Sequence, residues 1–263
     1  MGIFDGKVAI ITGGGKAKSI GYGIAVAYAK EGADLVLTGR NEQKLLNAKE
    51  ELERLYGIRV LALQADVTPD DESEDRVKEV VRKTIEVFGR IDVLINNAGC
   101  GYLGLMGETR TDLQTRMVDL NVRALTAVTN LVIPYMPAGA HILSTSSIAA
   151  FCPTPRMTVY GATKAYVSSF TVGLSEELRR REISVTAVCP GPMKTEFLEV
   201  GNIAGRSPAF ELLPYCDQVR VAEGALRAAK AGRTIYTPRL FYKFYRLLAK
   251  VTPVKLMVKF TKT

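Results

Sequence analysis

The chain has 263 residues, 47% of them hydrophobic, and a formal net charge of +8. Its length and apolar content predict one domain over residues 1–263 with a substantial core. No apolar stretch approaches the ~18 to 20 residues of a membrane span, and no basic segment followed by an apolar run indicates a secretory signal. The excess positive charge lies near the C-terminus without a recognised nucleic-acid-binding motif, so nucleic acid is not an expected partner.

The cysteine and histidine content narrows the chemistry further. Four cysteines are scattered without a Cys-x-x-Cys pair, a pattern typical of reduced proteins of the cytoplasm. His141 is the only histidine, which leaves no basis for a histidine-based zinc site or a Ser-His-Asp triad. We therefore expect no metal and a cytoplasmic location.

The first segment of the chain has the pattern of a nucleotide-binding unit. Lys7 to Thr12 is an apolar, β-branched run, which predicts a buried parallel strand. A glycine cluster begins at Gly13, with Lys16 and Lys18 inside it, and an Ala-rich helix is predicted from about residue 20. A strand, a glycine-rich turn and a helix N-terminus together predict that dinucleotide phosphates bind to free backbone N–H groups.

The second predicted strand, 34–38, ends at Gly39 and Arg40. An acidic residue at this position would accept hydrogen bonds from a ribose 2′-hydroxyl, whereas the planar, charged Arg40 suits a 2′-phosphate. The sequence therefore predicts NADP(H) rather than NAD(H). The alternative for Arg40 is a solvated residue at the start of a helix.

Strand and helix patterns alternate along the chain. The predicted strands are 7–12, 34–38, 58–64, 91–95, 140–145, 183–188 and 233–237. Helices are predicted to begin near 20, 41, 70, 111 and 157, with a further one at 219–230. This alternation predicts an α/β fold of the Rossmann type, a doubly wound, seven-stranded parallel sheet with helices on both faces. Ligands of such sheets bind beyond the carboxyl ends of the strands.

Three polar residues in the second half of the chain predict proton-transfer chemistry. Tyr160 and Lys164 are four residues apart and would share one face of a helix. A free tyrosine has a pKa of roughly 10, and a nearby cation favours the phenolate and lowers that pKa. Ser147, after a predicted strand, could hydrogen-bond the reacting oxygen. The group predicts proton transfer to and from a carbonyl or alcohol oxygen.

Taken together, these motifs resemble those of the short-chain dehydrogenase/reductase family from Lys7 to about Pro238. They are Thr12-Gly13 with Gly21 and Gly23, Asp66-Val67, Asn96-Asn97-Ala98-Gly99, Asn121, Ser147, Tyr160, Lys164 and Pro190-Gly191 through Thr195. The resemblance implies hydride transfer between a nicotinamide and a secondary alcohol or ketone. It also implies a homo-oligomer, either a dimer or a tetramer.

The family resemblance assigns a role to each matching residue. It implies that Tyr160 is the general acid/base, that Lys164 lowers its pKa and binds the nicotinamide ribose, and that Ser147 positions the carbonyl. It implies that Asn121 holds a water of the proton relay. The implied cofactor contacts are Gly13, Ser19, Ile20, Arg40, Asp66, Val67, Asn97, Ala98, Gly99, Tyr160, Lys164, Pro190, Gly191 and Thr195.

The glycine loop departs from the usual family spacing, because seven residues separate Gly13 from Gly21 where three are usual. The loop looks like that of the enoyl-carrier-protein reductases, whose catalytic Tyr and Lys are seven residues apart. Residue 167 is Val, so the enoyl-reductase reaction is not expected. In this longer loop, Ser19 and Ile20 are the expected pyrophosphate contacts.

Two parts of the chain resemble different branches of the family. Residues 1–97 are similar to NADP-linked bile-acid 12α-hydroxysteroid dehydrogenases, and from Cys100 onward the resemblance shifts to another branch. A recombinant of two branches would have this pattern.

We expect a small lipophilic substrate, a hydroxysteroid of the bile-acid type first, with a 3-oxoacyl thioester or another lipophilic ketone as the alternative. A non-catalytic nucleotide-sensing or membrane-docking protein is the alternative of another class, although such a protein would be expected to lose Tyr160 or Lys164.

Segment 195–215 interrupts the alternation with glycines and prolines and is predicted to be a mobile lid over the substrate. The apolar residues proposed for the substrate wall are Phe197, Leu198, Ile203, Phe210, Tyr102 and Leu103. The alternative is that these side chains pack onto the body of the protein and never contact substrate.

Residues 239–263 form a basic tail. They include seven basic and no acidic residues, so the rest of the chain has a net charge of about +1 (8 − 7). The segment 241–250 is amphipathic. We favour packing of this tail on the body or on a partner subunit, and peripheral contact with an anionic membrane is the alternative.

Overall fold

The computed structural model describes residues 2–15, 19–203 and 205–261. Within those ranges, seven parallel strands form one sheet in the order β3-β2-β1-β4-β5-β6-β7. The strands are β1 (Val8–Thr12), β2 (Asp34–Gly39), β3 (Val60–Gln64), β4 (Val93–Asn96), β5 (His141–Thr145), β6 (Ser184–Val188) and β7 (Ile235–Tyr236). The predicted Rossmann-type sheet is confirmed, and every predicted strand overlaps an observed one.

Helices cover both faces of the sheet. They are α1 (Ile20–Lys30), α2 (Glu42–Tyr56), α3 (Ser73–Phe88), α4 (Thr111–Val118), α5 (Leu125–Val132), α6 (Thr158–Glu177), α7 (Glu196–Val200), α8 (Pro208–Leu212), α9 (Gln218–Lys230), α10 (Leu240–Val251) and α11 (Val254–Phe260). Short α7 and α8 occupy the segment predicted as a lid, whose mobility stays a prediction.

The core consists of two apolar layers, one on each face of the sheet. Neighbouring residues of a strand point to opposite faces, so Ile11 packs with Tyr28 and Leu52 on one face, while Ile10 packs with Val80 and Leu94 on the other. This two-sided burial explains why β1 reads as a continuous apolar run rather than an alternating one.

The order of the strands indicates where on the sheet a ligand would bind. β1 pairs with β2 on one side and with β4 on the other, so the order reverses at β1. In open α/β sheets the crevice at such a reversal, beyond the carboxyl ends of the strands, is where ligands bind. The residues that follow β1, β2, β4 and β5 therefore converge on one edge of the sheet.

Two helices, α10 and α11, follow the last strand. Tyr242 anchors α10 to the body, because its side chain is fully buried and its hydroxyl donates a 2.7 Å hydrogen bond to the carbonyl of Pro214. Among the helices of the described ranges, none is both long and apolar enough to cross a bilayer. Lys16 and Lys18 of the glycine loop, and Lys262 of the tail, lie outside the described residues.

Candidate active site

A cavity of about 1110 Å³ opens at the carboxyl ends of the strands. It is lined by all but one of the residues proposed from sequence for the site, namely Gly13, Ser19, Ile20, Arg40, Asp66, Val67, Asn97, Ala98, Gly99, Ser147, Tyr160, Lys164, Pro190, Gly191 and Thr195. Asn121 is the exception. The volume exceeds that of a common drug-sized pocket and leaves space for a dinucleotide together with a second ligand.

The glycine loop is held by the residue that ends β1. The Thr12 hydroxyl accepts hydrogen bonds from the backbone N–H groups of Asn97 and Ala98, at 3.0 and 3.1 Å. The Asn97 amide donates to the carbonyls of Thr12 and Gly13. A Cβ at Gly21 would lie 2.6 Å from the Gly13 carbonyl oxygen, so Gly21 lets α1 approach the turn closely.

The N-terminus of α1 lies at the cavity. Ser19 caps the helix, and its hydroxyl accepts from the Tyr22 N–H at 3.2 Å. Ser19 and Ile20 both line the cavity. The partial positive charge of a helix N-terminus therefore lies where the sequence predicted a pyrophosphate.

Two cations lie at the end of β2. Arg40 is exposed at the cavity and its carbonyl accepts from the Gln64 amide at 2.9 Å. Lys44, on the first turn of α2, also lines the cavity, and Asn41 caps that turn by accepting from the Lys44 N–H at 2.8 Å. Lys44 was not identified from sequence, although its place in the first turn of the helix that follows Arg40 could have indicated it.

Ser147 and Tyr160 come together from β5 and α6. Ser147 follows β5 in an extended conformation, and its hydroxyl accepts from the Ala149 N–H at 3.1 Å. Tyr160 lies in the first turn of α6, where its buried side chain is a hydrogen-bond partner of Ser147. The two hydroxyl groups can thus address the same ligand atom.

Lys164 lies one turn further along α6 and is buried. Its Nζ donates a 2.7 Å hydrogen bond to the Thr145 carbonyl and lies 5.8 Å from the centroid of the Tyr160 ring. Burial lowers the pKa of Lys164 to about 8. The predicted juxtaposition of phenol and ammonium on one helix face is present.

The direction of the Tyr160 pKa is opposite to the one predicted from sequence. Burial raises this pKa to about 12, while the hydrogen bond to Ser147 lowers it. Desolvation of the phenolate thus outweighs the favourable contacts in the chain alone. The spacing of Tyr160 and Lys164 predicted that they lie together, but it could not predict the free-energy cost of removing the phenolate from water.

Asn121 lies behind the cavity wall. It belongs to a π-helical segment, Asp119–Ala124, between α4 and α5. Its side chain accepts from the Cys100 N–H at 2.9 Å and donates to the Cys100 carbonyl at 2.8 Å and the Thr163 hydroxyl at 3.0 Å. Asn121 therefore joins the loop after β4 to α6, and its role in holding a water stays a prediction.

The other half of the cavity is apolar. Of the wall residues proposed from sequence, Tyr102, Phe197, Leu198 and Phe210 line it, while Leu103 and Ile203 are buried in the cluster behind it. The Phe197 ring lies 5.5 Å from that of Tyr160. Sequence patterns did not indicate that the tail also lines the cavity, through Phe241, Tyr242, Tyr245, Leu248, Met257, Phe260 and Thr261.

The family model of short chain dehydrogenases matches residues 7–202. The chain belongs to the short-chain dehydrogenase family. A 12α-hydroxysteroid dehydrogenase of Clostridium sp. is 52% identical over 202 residues, which cover 74% of this chain and 76% of that protein. This match confirms the resemblance to such dehydrogenases, and its 202 residues extend beyond the resemblance of residues 1–97. An uncharacterized oxidoreductase of Staphylococcus epidermidis is 33% identical over 215 residues, 81% of this chain and 89% of that protein.

Solved short-chain dehydrogenases share the fold. The enzyme from Burkholderia phymatum, in complex with NAD, has a TM-score of 0.81 at 27% identity, and the match covers 94% of both chains. The enzyme from Burkholderia cenocepacia, in complex with NADP, has a TM-score of 0.76 at 28% identity, covering 89% of this chain and 96% of that one. Both cofactors thus occur among structural relatives of this short-chain dehydrogenase.

Proposed function

We propose that this short-chain dehydrogenase is an NADP(H)-dependent oxidoreductase that interconverts a secondary alcohol and a ketone on a hydroxysteroid of the bile-acid type. The observation that carries the proposal is the convergence of Ser147, Tyr160 and Lys164 beside an apolar half-cavity. The other half of that cavity ends at Arg40 and Lys44. The 52% identity to a 12α-hydroxysteroid dehydrogenase supports the steroid class.

The residues present fit a phosphorylated dinucleotide. Gly13 lines the cavity with a φ of 71°, and a Cβ there would lie 3.2 Å from both Ala98 Cα and the Asn97 amide, so this turn requires glycine. Ser19 and Ile20 would hold the pyrophosphate, and Arg40 with Lys44 would hold a 2′-phosphate. When bound, the reduced cofactor supplies a hydride.

The chain itself handles the proton. The Ser147 and Tyr160 hydroxyls would donate hydrogen bonds to the carbonyl oxygen of a ketone, and the Tyr160 proton would pass to that oxygen as the alcohol forms. The phenolate that remains would be stabilised by the Lys164 ammonium, which the Thr145 carbonyl orients. Oxidation of the alcohol would use the same groups in reverse.

The apolar wall supports a lipophilic substrate. Phe197 packs on Tyr160, and a Cβ at Gly101 would lie 2.5 Å from the Phe197 ring, so this wall closes tightly around the reacting group. Exclusion of water strengthens the hydrogen bonds within the site.

The cytoplasmic location and the homo-oligomer are also parts of this proposal, and they rest on the cysteine pattern and on the family.

Oxidation of NADPH, followed by its absorbance, tests the proposal against a panel of bile acids with a keto group, neutral ketosteroids and 3-oxoacyl thioesters. Turnover of keto bile acids is expected to exceed that of the other classes. Preference for the thioesters would instead assign the alternative reductase activity. No turnover of any ketone, despite tight NADPH binding, would indicate a non-catalytic nucleotide-binding protein.

A pair of variants on α6 tests the assignment of the acid. Tyr160→Phe is expected to reduce turnover by at least 10³-fold while NADPH still binds, because the proton donor is lost and the ring is kept. Tyr166→Phe is the matched control, since Tyr166 lies on the same helix but hydrogen-bonds Thr126 outside the cavity. Retained activity in Tyr160→Phe would contradict the assignment.

A further inference from the structure

The tail displays an unusual amount of apolar surface. Leu240 and Phe260 expose 81% and 84% of their surface. We define the tail surface as seven exposed apolar residues of the two helices, namely Leu240, Phe244, Leu247, Val251, Val254, Leu256 and Phe260; Phe241 and Leu248 are also partly exposed. Apolar groups concentrated on one surface indicate a site of interaction with a membrane or another protein.

Helix α10 presents this surface away from the body. Leu240, Phe244, Leu247 and Val251 recur at helical spacing and therefore share one face. Tyr242 lies on the opposite side, where it is buried against the body. Packing on the body, which the sequence favoured, thus accounts for one face of α10, and within the described ranges the apolar side chains of its other face stay exposed.

The charge around the tail surface indicates what covers it. Residues 239–263 include seven basic and no acidic side chains. Lys243, Lys250, Lys255 and Lys259 are all exposed. A second copy of this surface would bring the same positive charges together, whereas an anionic lipid surface would neutralise them. Apolar side chains flanked by lysines are typical of helices that lie in the interface of a bilayer.

The same two helices line the active-site cavity. Phe241, Leu248 and Met257 lie on its wall, beside residues of the tail surface along both helices. A lipophilic molecule dissolved in the bilayer would therefore meet apolar side chains continuously from the tail surface to the cavity.

We propose that α10 and α11 bind the surface of an anionic bilayer and that the lipophilic substrate enters the cavity from that bilayer, past the side chains of the tail. The substrate step rests on the proposed function. The binding step does not, because it depends on the apolar and basic residues of the tail alone.

Co-sedimentation with vesicles tests the binding step without any turnover. The full chain is expected to sediment with phosphatidylcholine vesicles that contain about one third phosphatidylglycerol, and not with phosphatidylcholine alone. Raising the salt from about 0.1 M to about 0.5 M should weaken this binding several-fold, because the lysine contacts are screened. Absence of sedimentation with the anionic vesicles at the lower salt would overturn the proposal.

Two double variants separate the contributions of charge and apolar contact. Lys243→Gln with Lys250→Gln is expected to weaken vesicle binding at least tenfold, and Phe244→Ser with Leu247→Ser by a similar factor. These four residues are outside the cavity lining. Matched controls are Lys230→Gln on α9 and Leu55→Ser on α2, whose side chains are also exposed. Unchanged melting temperatures would show that the variants fold.

Sedimentation velocity distinguishes a lipid surface from a second copy. Suppose that the wild-type chain does not bind vesicles and that the double variant Phe244→Ser with Leu247→Ser converts an oligomer into monomers. The tail surface is then a subunit interface and the proposal is wrong. If vesicle binding weakens while the oligomeric state stays the same, the lipid surface is supported.

The entry step is tested by the ratio of kcat/KM for a ketosteroid carried in anionic vesicles to kcat/KM for a water-soluble ketone. The lysine double variant should lower this ratio about tenfold. If vesicle binding weakens but this ratio does not change, the substrate does not enter the cavity from the bilayer. Absence of turnover with intact vesicle binding would contradict the proposed function and leave the binding step standing.

Discussion

The Nζ atom of Lys164 donates a 2.7 Å hydrogen bond to the main-chain carbonyl of Thr145, the last residue of β5. The cation of the active site is therefore attached to the edge of the sheet. A buried ammonium group loses its hydration, and burial lowers the pKa of Lys164 to about 8. Keeping this group charged at neutral pH thus costs stability.

Lys164→Met should stabilise the cofactor-free protein while abolishing turnover. A fall in pKa from 10.5 to about 8 corresponds to about 3 kcal/mol, which the unpaired Thr145 carbonyl would reduce to about 1 to 2 kcal/mol. The cost to the wild type is fully present below pH 8 and disappears as the pH rises towards 10.5, because the lysine is then neutral in both folded and unfolded states. Denaturant unfolding across this range measures the difference, and a gain that grew with pH would contradict the sign.

The pKa of Tyr160 should fall when oxidised cofactor binds. In the chain alone, burial raises it to about 12, while the oxidised nicotinamide ring of bound NADP⁺ would add a positive charge beside Tyr160. Phenolate absorbance, recorded with and without NADP⁺ and corrected by the same titration of Tyr160→Phe, isolates this group from the other tyrosines. A pKa that stays near 12 in the complex would mean that Tyr160 cannot exchange its proton near neutral pH.

Arg40 and Lys44 should set the preference for NADPH over NADH. Arg40→Asp should lower the ratio of kcat/KM for the two cofactors at least 100-fold, and Lys44→Gln about tenfold, since a charge-assisted contact contributes roughly 1.5 to 3 kcal/mol. Lys49→Gln is the control, because Lys49 is on the same helix but does not belong to the cavity lining. An unaltered ratio in both variants would place the 2′-phosphate elsewhere.

Gly191→Ala should destabilise the protein and weaken cofactor binding together. A Cβ at residue 191 would overlap the ring of Tyr242, and overpacking of this kind costs about 1 to 3 kcal/mol. Gly173→Ala on α6 is the matched control. Nothing lies within 4 Å of its new Cβ, so this change should stabilise the helix by about 0.5 to 1 kcal/mol. Thermal unfolding and NADPH titration of both variants test this prediction. Equal melting temperatures and equal NADPH affinities in the two variants would contradict the steric explanation.

The parts of the site that local patterns define were predictable. β1 is a nearly continuous apolar run, and the i, i+4 spacing of Tyr160 and Lys164 specifies a shared helix face whatever the packing around it. The residues after each strand then converge because the sheet is parallel. This is why the contacts proposed at Gly13, Arg40 and Asp66 line one cavity.

What depended on distant contacts was not predictable. The Thr145 carbonyl engages Lys164 only because α6 packs beside β5, and the pKa of Tyr160 depends on how much water that packing removes. Likewise, Phe241 and Phe260 reach the cavity across the body from the far end of the chain. No periodicity in residues 239–263 shows which of two apolar faces turns inward.

Tyr242 has a consequence for recombining these enzymes. Its ring fills the space left by Gly191, and its hydroxyl donates to the Pro214 carbonyl. This one side chain therefore joins α10 to two earlier loops, one at Gly191 and one at Pro214. A tail exchanged between relatives without a matching residue at 191 would leave either a void or a clash. Chimeras of this enzyme should therefore be cut before residue 190, so that the three interlocking pieces are inherited as a set.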